Sequence, residues 1–264
     1  MKNPGKILGI SFMILTVGGL IYLSVGISSG HEVKIYSIAV EGENHFSKEQ
    51  YLSYANLAEK QNYENLSLQI IKDRIEKHPY IQNADVRFTE AGKVLIKIRE
   101  KVFDSILLDK GNQYLITDNL QLLPLFSDTK KINYPVISNA FFGSQPVALS
   151  SMKKNLDVVT ASKIISAVKL ANPDLEKDFS AIDLQSGGEI ILYLSSTDYP
   201  IMIGRGNEIR KVIYFNTLWQ SLKGKEINNY LDYVDLRYGG HVFLGITDST
   251  NGLVKNIDAG HNKS

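Results

Sequence analysis

From Ile7 to Ile27 the chain carries no charged residue, and apolar side chains fill all sides of a helix drawn through it. The run is 21 residues long. As an α-helix it extends about 31 Å, which matches the hydrocarbon core of a bilayer. The pattern predicts a transmembrane helix bounded by Ile7 and Ile27. Lys2 and Lys6 precede the run with no acid beside them, and no lysine or arginine follows it until Lys34. That asymmetry predicts a cytoplasmic amino terminus and exports the 237 residues after Ile27. A cleaved signal peptide shares the basic start and apolar middle, and Ser24 and Gly26 offer it a poor small-residue cleavage site. Its apolar region, however, usually spans about 7–15 residues. A retained anchor fits the length better.

Beyond the run the pattern breaks into short segments. Ile35, Ile38 and Val40 begin a strand that ends in a turn at Glu41-Gly42-Glu43-Asn44. Ser47 followed by Gln50 has the spacing of a capping box, and Tyr51, Leu52, Tyr54, Ala55 and Ala58 form a short amphipathic helix after it. A second helix opens near Ser67, with Leu68, Ile71 and Ile75 on one face. His78-Pro79 stops it, because proline disfavours helical geometry at the residue before it. Ala84, Val86 and Phe88 then alternate with polar residues, as do Val94, Ile96 and Ile98 after a turn at Glu90-Ala91-Gly92, which predicts two half-buried strands. The order over residues 35–101 is strand, helix, helix, strand, strand.

The second stretch is richer in strands. Leu107–Asp109 and Tyr114–Ile116 flank Lys110-Gly111-Asn112, a hairpin signal. Leu122–Leu125 and Tyr134–Ile137 follow. Ser150 or Ser151 is placed to cap a helix running to Ala171, with Val158, Ala161, Ile165 and Val168 on one face, and Asn172-Pro173 ends it. Ile182–Leu184 and Ile190–Leu194 read as a hairpin around Gly187-Gly188. Ile201–Ile203 leads into Gly204-Arg205-Gly206-Asn207, where Asn207 caps a helix turning Ile209, Val212, Ile213 and Trp219 inward. Tyr233–Arg237 and His241–Ile246 are the last strands. The polar tail from Thr247 to Ser264 has the composition of a disordered segment.

Charge and composition remove several classes of function. Of 29 basic and 28 acidic residues, the loss of Lys2 and Lys6 leaves 27 against 28, so the exported part is nearly neutral and lacks the footprint of a nucleic-acid binder. With no cysteine there are no disulfides, thiolate metal sites or cysteine nucleophiles. Gly26-Ile27-Ser28-Ser29-Gly30 matches a nucleophile elbow in letters, but it leaves an apolar helix and enters a linker, where an elbow needs a strand before it and a helix after it. Gly204-Arg205-Gly206 precedes a helix, yet Glu208 places negative charge where a phosphate would sit, so a structural turn is favoured. His31, His45, His78, His241 and His261 lie far apart without metal-ligand spacing. No catalytic set, cofactor site, metal site or small-molecule substrate follows from these residues.

The first stretch resembles a POTRA domain. The resemblance is carried by Ile38-Ala39-Val40-Glu41-Gly42-Glu43-Asn44, by His78-Pro79-Tyr80-Ile81, by Ala84-Asp85-Val86 and by Ile98-Arg99-Glu100-Lys101-Val102, where Val102 stands in place of a usual proline. A short start, one anchor and one such domain are similar to the FtsQ/DivIB family of bacterial division proteins. Tyr233-Val234-Asp235-Leu236-Arg237-Tyr238, followed by Gly239-Gly240 and His241-Val242-Phe243-Leu244, resembles the closing strands of that family. The resemblance implies an α+β protein: a cytoplasmic start at 1–6, a transmembrane helix at 7–27, a linker at 28–34 and a POTRA domain at 35–101 of order β-α-α-β-β. An antiparallel-sheet domain with helices on one face would follow at 102–246, then the tail at 247–264.

A terminal edge strand offers unpaired backbone groups to a partner. Val234, Leu236 and Tyr238 share one face and Asp235 and Arg237 the other, so Arg237 is suited to a partner carboxylate and Tyr238 to a buried aromatic contact. Read alone, the same residues are better taken as core and rim of the last hairpin, because most strands bind nothing. The resemblance favours docking, and assigns it to Leu236, Arg237, Tyr238, Gly239, Gly240, His241, Val242 and Phe243. It implies a non-enzymatic, single-pass protein of the cell inner membrane at the septum, recruiting FtsB/FtsL-like division proteins to control septal peptidoglycan synthesis. On the same reading, the exposed strand edge of the POTRA domain would be a second docking place for division proteins. The competing readings are a POTRA-bearing transport or assembly factor, which would need more POTRA domains or a barrel, and an anchored envelope hydrolase.

Overall fold

The computed structural model describes residues 4–27, 34–64 and 66–246, with side chains in the first segment described at residue 9 and residues 11–22. The first three residues of the start expected in the cytoplasm, residues 28–33 of the expected linker with the serines of the elbow-like match, and the tail from Thr247 lie outside the described residues. Pro4–Ile27 form a 24-residue helix, α1, with proline at its first position, where the missing N–H is no loss. Its Phe12, Leu15, Leu20 and Tyr22 are all exposed. The continuous part of α1 described with its side chains, residues 11–22, is shorter than a span, and among the described residues no helix is long and apolar enough to cross a membrane.

The first module consists of β1 (Ser37–Glu41), α2 (Lys48–Tyr54), α3 (Leu68–Glu76), β2 (Ile81–Glu90) and β3 (Lys93–Glu100). A short 3-10 turn at Lys60–Tyr63 joins the two helices. Ser47 and Gln50 form the expected capping box: the Gln50 N–H donates to Ser47 Oγ (3.3 Å) and the Ser47 N–H to Gln50 Oε1 (2.7 Å). Such a cap contributes about 1 kcal/mol. Ser67 caps α3 in the same way through the Ile70 N–H. Ile71 and Ile75, both fully buried, anchor α3 on the sheet and each stabilise it by about 1.5–3 kcal/mol. The sheet order is β1-β3-β2, with β1 parallel and β2 antiparallel to β3. Gly42 turns the chain out of β1 at φ +93°, and a Cβ there would overlap the Ile98 carbonyl, so only glycine fits.

The second module contains β4 (Phe103–Asp109), β5 (Asn112–Thr117), β6 (Leu122–Pro124), β7 (Val136–Ser138), α4 (Leu156–Ala171), α5 (Pro173–Asp178), β8 (Phe179–Asp183), β9 (Ile191–Leu194), β10 (Ile201–Met202), α6 (Glu208–Leu222), β11 (Leu231–Asp235) and β12 (Phe243–Ile246). They build one nine-stranded sheet in the order β12-β11-β10-β9-β8-β7-β4-β5-β6. The expected all-antiparallel sheet is corrected here: β4 with β7, β7 with β8 and β10 with β11 are parallel pairs. Two of these are joined through helices, since a chain that leaves a strand by α4 and α5, or by α6, returns in the same direction. Three local expectations also change. Helix α4 starts at Leu156 under an Asn155 cap, not at Ser150 or Ser151. Asn172-Pro173 ends α4 but also opens α5, with Asn172 capping Asp174. In α6 the buried face is Val212, Phe215, Trp219 and Leu222, whereas Ile209 and Ile213 are exposed.

Alternation along β4 and β5 sends Leu107 and Ile116 to the face covered by α4 and α6, and Ile106 and Leu115 to the opposite face. There they join Val40, Phe46, Tyr51 and Tyr80 of the first module in one buried cluster. Glu100 fastens this junction. Its carboxylate accepts from the N–H groups of Asn44 (2.7 Å) and His45 (3.1 Å), from the Tyr51 hydroxyl (2.6 Å) and from His45 Nδ1. With Nδ1 donating, His45 Nε2 accepts from the Tyr134 hydroxyl at 2.9 Å, which carries the network into the second module. Burial pushes the Glu100 carboxyl up, but the hydrogen bonds from His45, Tyr51 and the two backbone amides outweigh it and hold the group below the usual carboxylate range.

Candidate functional site

The last two strands arise from a strand-helix-strand unit, β10-α6-β11, that lays β11 parallel to β10. Leu231 and Val234 anchor β11 in the core. The strand stops at Asp235, two residues earlier than its hydrophobic pattern suggests. The reason is local: the Asp235 carboxylate accepts the N–H of Arg237 at 2.9 Å, an Asx turn that diverts the backbone. The same carboxylate binds the Arg237 side chain, with Nε at 3.0 and 3.1 Å and a terminal nitrogen at 2.7 Å. Hydrogen bonds from the Arg237 side chain hold the Asp235 carboxyl below its ordinary range. Arg237 is therefore engaged within its own turn.

Tyr238-Gly239-Gly240-His241 make the reversal, closed by the His241 N–H on the Tyr238 carbonyl (3.2 Å) with Gly240 at φ +78°. Tyr238 is exposed and meets Phe243 edge to face, with centroids 5.4 Å apart. Strand β12 then pairs antiparallel with β11. Gly245 permits this because the Tyr233 ring occupies the space a Cβ would need.

β12 is the outer edge of the sheet. The Val234 and Leu236 N–H groups point away from β12, donating to Pro200 and Met202. Tyr233 and Asp235 consequently face β12, and they sit opposite Gly245 and Phe243. Leu244 lies between those two, so its N–H and C=O point to the open edge. Where the chain turns toward β12, a groove of about 520 Å³ lies between α6 and the Tyr238–His241 turn. Arg210, Lys211 and Tyr214 line it from the helix, and Leu236, Tyr238 and His241 from the turn. Lys211 donates to the Ile203 carbonyl (2.7 Å). Among the described residues lining the groove none is acidic, so its field favours anionic groups.

The family model for the C-terminal part of the cell division protein FtsQ/DivIB matches residues 106–237, half of the chain, and the model for the FtsQ-type POTRA domain matches residues 33–101. The chain belongs to the FtsQ/DivIB family. Curated relatives agree. The cell division protein FtsQ of Geotalea daltonii is 21% identical over 249 residues, covering 92% of this chain and 87% of that protein. That of Syntrophotalea carbinolica is 23% identical over 234 residues, covering 86% and 75%. The family match on the second module ends at Arg237, so the groove-lining turn and β12 lie beyond it and rest on geometry.

That geometry redistributes the residues expected for partner docking in this FtsQ/DivIB-family chain. Leu236 is a core residue, 3% exposed, and Val242 packs against the same core. Gly239 and Gly240 shape the turn. Tyr238, His241 and Phe243 form an aromatic patch, with His241 and Phe243 rings 6.4 Å apart. The α6 residues Arg210 and Tyr214 were not expected, although the sequence holds a signal for them: they are the polar and aromatic neighbours of Ile209 and Ile213 on an exposed flank. Asn207, expected as the cap of α6, is left-handed at φ 57° and makes no side-chain cap; the Glu208 carboxylate instead takes the Gly206 N–H. In the preceding Gly-Arg-Gly turn, Arg205 pairs with Asp157 at 2.8 Å and donates from Nε to the Gly188 carbonyl at 2.6 Å, which is a structural role.

Proposed function

We propose that this cell division protein is a non-enzymatic, membrane-anchored scaffold of the division machinery that captures partners by β-strand addition on β12. The observation that carries the reading is the open edge at Leu244 together with the groove of cationic and aromatic side chains. An extended partner segment pairs its backbone with Leu244 and sets an acidic or amphipathic flank into the groove, near Arg210 and Tyr238. The partners are FtsB/FtsL-like proteins, whose recruitment controls septal peptidoglycan synthesis. α1 is a retained inner-membrane span with its start in the cytoplasm. The exposure of apolar side chains on all its sides supports this, because such a helix needs lipid or a protein core around it. The POTRA domain at 35–101 and the sheet domain at 102–246 form the extracytoplasmic platform at the septum.

Leu244→Pro tests the docking. Proline is tolerated on an edge strand where the N–H faces outward, so the variant loses the donor to the partner and keeps the β11–β12 hairpin. The expected result is loss of co-purification with the FtsB/FtsL-like pair at unchanged circular dichroism. Undiminished co-purification contradicts strand addition at β12. Depletion of the protein is expected to give long undivided cells; normal division with faulty envelope assembly supports the transport reading instead.

A further inference from the structure

Another outer strand among the described residues is β2, which pairs on one side with β3. The Ala84 N–H points away from β3, since it donates to Glu76 Oε1 at 2.8 Å. By the period of two, Val86 and Phe88 also present their N–H and C=O to the open side. From Asn83 to Phe88 the strand is regular, with its bulges at either end. Asp85 and Arg87 lie on the exposed face, and among the described residues neither side chain has an ionic or hydrogen-bonded partner.

This arrangement is complementary to itself, and we propose that β2 pairs antiparallel with β2 of a second copy of this chain about a two-fold axis at Val86. Hydrogen-bond parity allows two-fold registers centred on residues 85, 86 or 87. Centring on Asp85 sets Asp85 opposite its own copy, and centring on Arg87 sets Arg87 opposite its own copy, so both place like charges face to face. Centring on Val86 sets Asp85 opposite the other copy's Arg87, twice by symmetry. On the buried face the same register puts the half-exposed Phe88 against Ala84, a large side chain over a small one. The charge pattern thus selects one register and rejects its neighbours. Glu76 restrains the contact, because it holds the Ala84 N–H that the other copy's Phe88 carbonyl would take. It lies 3.9 Å from Lys72 and can turn to that lysine when displaced. An interface of about five residues a side is small, so its occupancy depends on tethering both copies to a common surface. It lies apart from β12 and does not depend on what docks there.

The chain has no cysteine, so thiol cross-linking in cells that make the full chain reads the register directly. Asp85→Cys and Arg87→Cys chains are made separately and together, then oxidised. In the Val86-centred register residues 85 and 87 of opposite copies are about 4.5 Å apart at Cα, within disulfide reach, while residues 85 of the two copies are about 8 Å apart and beyond it. The expected result is a covalent dimer from the mixture and none from either chain alone. Arg87→Asp is expected to lower the dimer fraction of the full chain in detergent roughly tenfold by sedimentation, as two attractive pairs become repulsive. Asp85→Arg with Arg87→Asp is expected to restore it, and Glu76→Ala to raise it above the parent. A mixture that gives no dimer, a dimer from Asp85→Cys alone, cross-linking to a different protein, or charge variants indistinguishable from one another overturns the proposal.

Discussion

His78 gives the molecule a pH dependence that can be calculated. The residue follows α3, is 1% exposed, and sits among the rings of Phe46, Tyr51, Tyr54, Tyr80 and Phe126 at centroid distances of 4.5 to 5.8 Å. Its Nδ1 accepts the Tyr80 N–H at 3.1 Å, which puts the proton on Nε2, and Nε2 has no hydrogen-bond partner. Burial in this cage pushes the imidazole down to about 4. The unfolded chain takes up its proton near the ordinary value of about 6.5. Between those two values the unfolded state binds more protons than the folded one, so stability falls as pH falls, and the loss levels off below about pH 4. The lowered affinity corresponds to about 2 kcal/mol lost by pH 5 and about 3 kcal/mol in full. His78→Gln keeps an acceptor for the Tyr80 N–H and does not titrate. Denaturant melts of both proteins from pH 7 to pH 5 are expected to show a parent slope steeper by about 2 kcal/mol over that interval, whatever the variant's offset at neutral pH. Parallel profiles would refute the assignment of a neutral, unpaired imidazole to this site.

Two further predictions concern the junction and the turn after β1. Glu100→Ala leaves the amides of Asn44 and His45, the Tyr51 hydroxyl and the His45 ring without their shared acceptor, and is expected to cost roughly 3–5 kcal/mol in denaturant melts, a loss that a surface carboxylate would not give. Gly42→Ala combines a left-handed backbone with overlap on the Ile98 carbonyl, and is expected to destabilise by at least about 2 kcal/mol, against a near-neutral Gly143→Ala, where a Cβ meets open space.

Much of the fold was legible because each signal acts locally. Ser47 with Gln50, Ser67 with Ile70, and the alternation of β2 to β5 depend on neighbours a few residues away, and the structure keeps them. The departures come from long-range choices. Parallel pairing of β7 with β8 depends on where α4 and α5 return the chain, which no strand pattern encodes. In α6, apolar residues lie on two flanks, and the sheet buries Phe215 and Trp219 in preference to Ile209 and Ile213. At the candidate site, the strand-ending role of Asp235 overrode the apolar alternation through Leu236 and Tyr238. Its signal, an aspartate two residues before an arginine, is equally compatible with a continuing strand until the Asp235 carboxylate takes the Arg237 N–H. The contribution of Arg210 and Tyr214 depends on α6 lying beside the final turn, a tertiary fact. His45, His78 and Glu100 illustrate the same limit: nothing in their spacing announces that they meet at one junction.

The most direct test of the account is hydrogen exchange at the Leu244 amide in the full chain, alone and with the FtsB/FtsL-like pair bound. Alone, Leu244 is expected to exchange faster than Phe243 and Gly245, whose groups face β11. With the partner bound, strand addition predicts that Leu244 slows at least roughly tenfold while its two neighbours change little. A Leu244 amide that stays fast in a complex shown to be intact would contradict docking at the β12 edge.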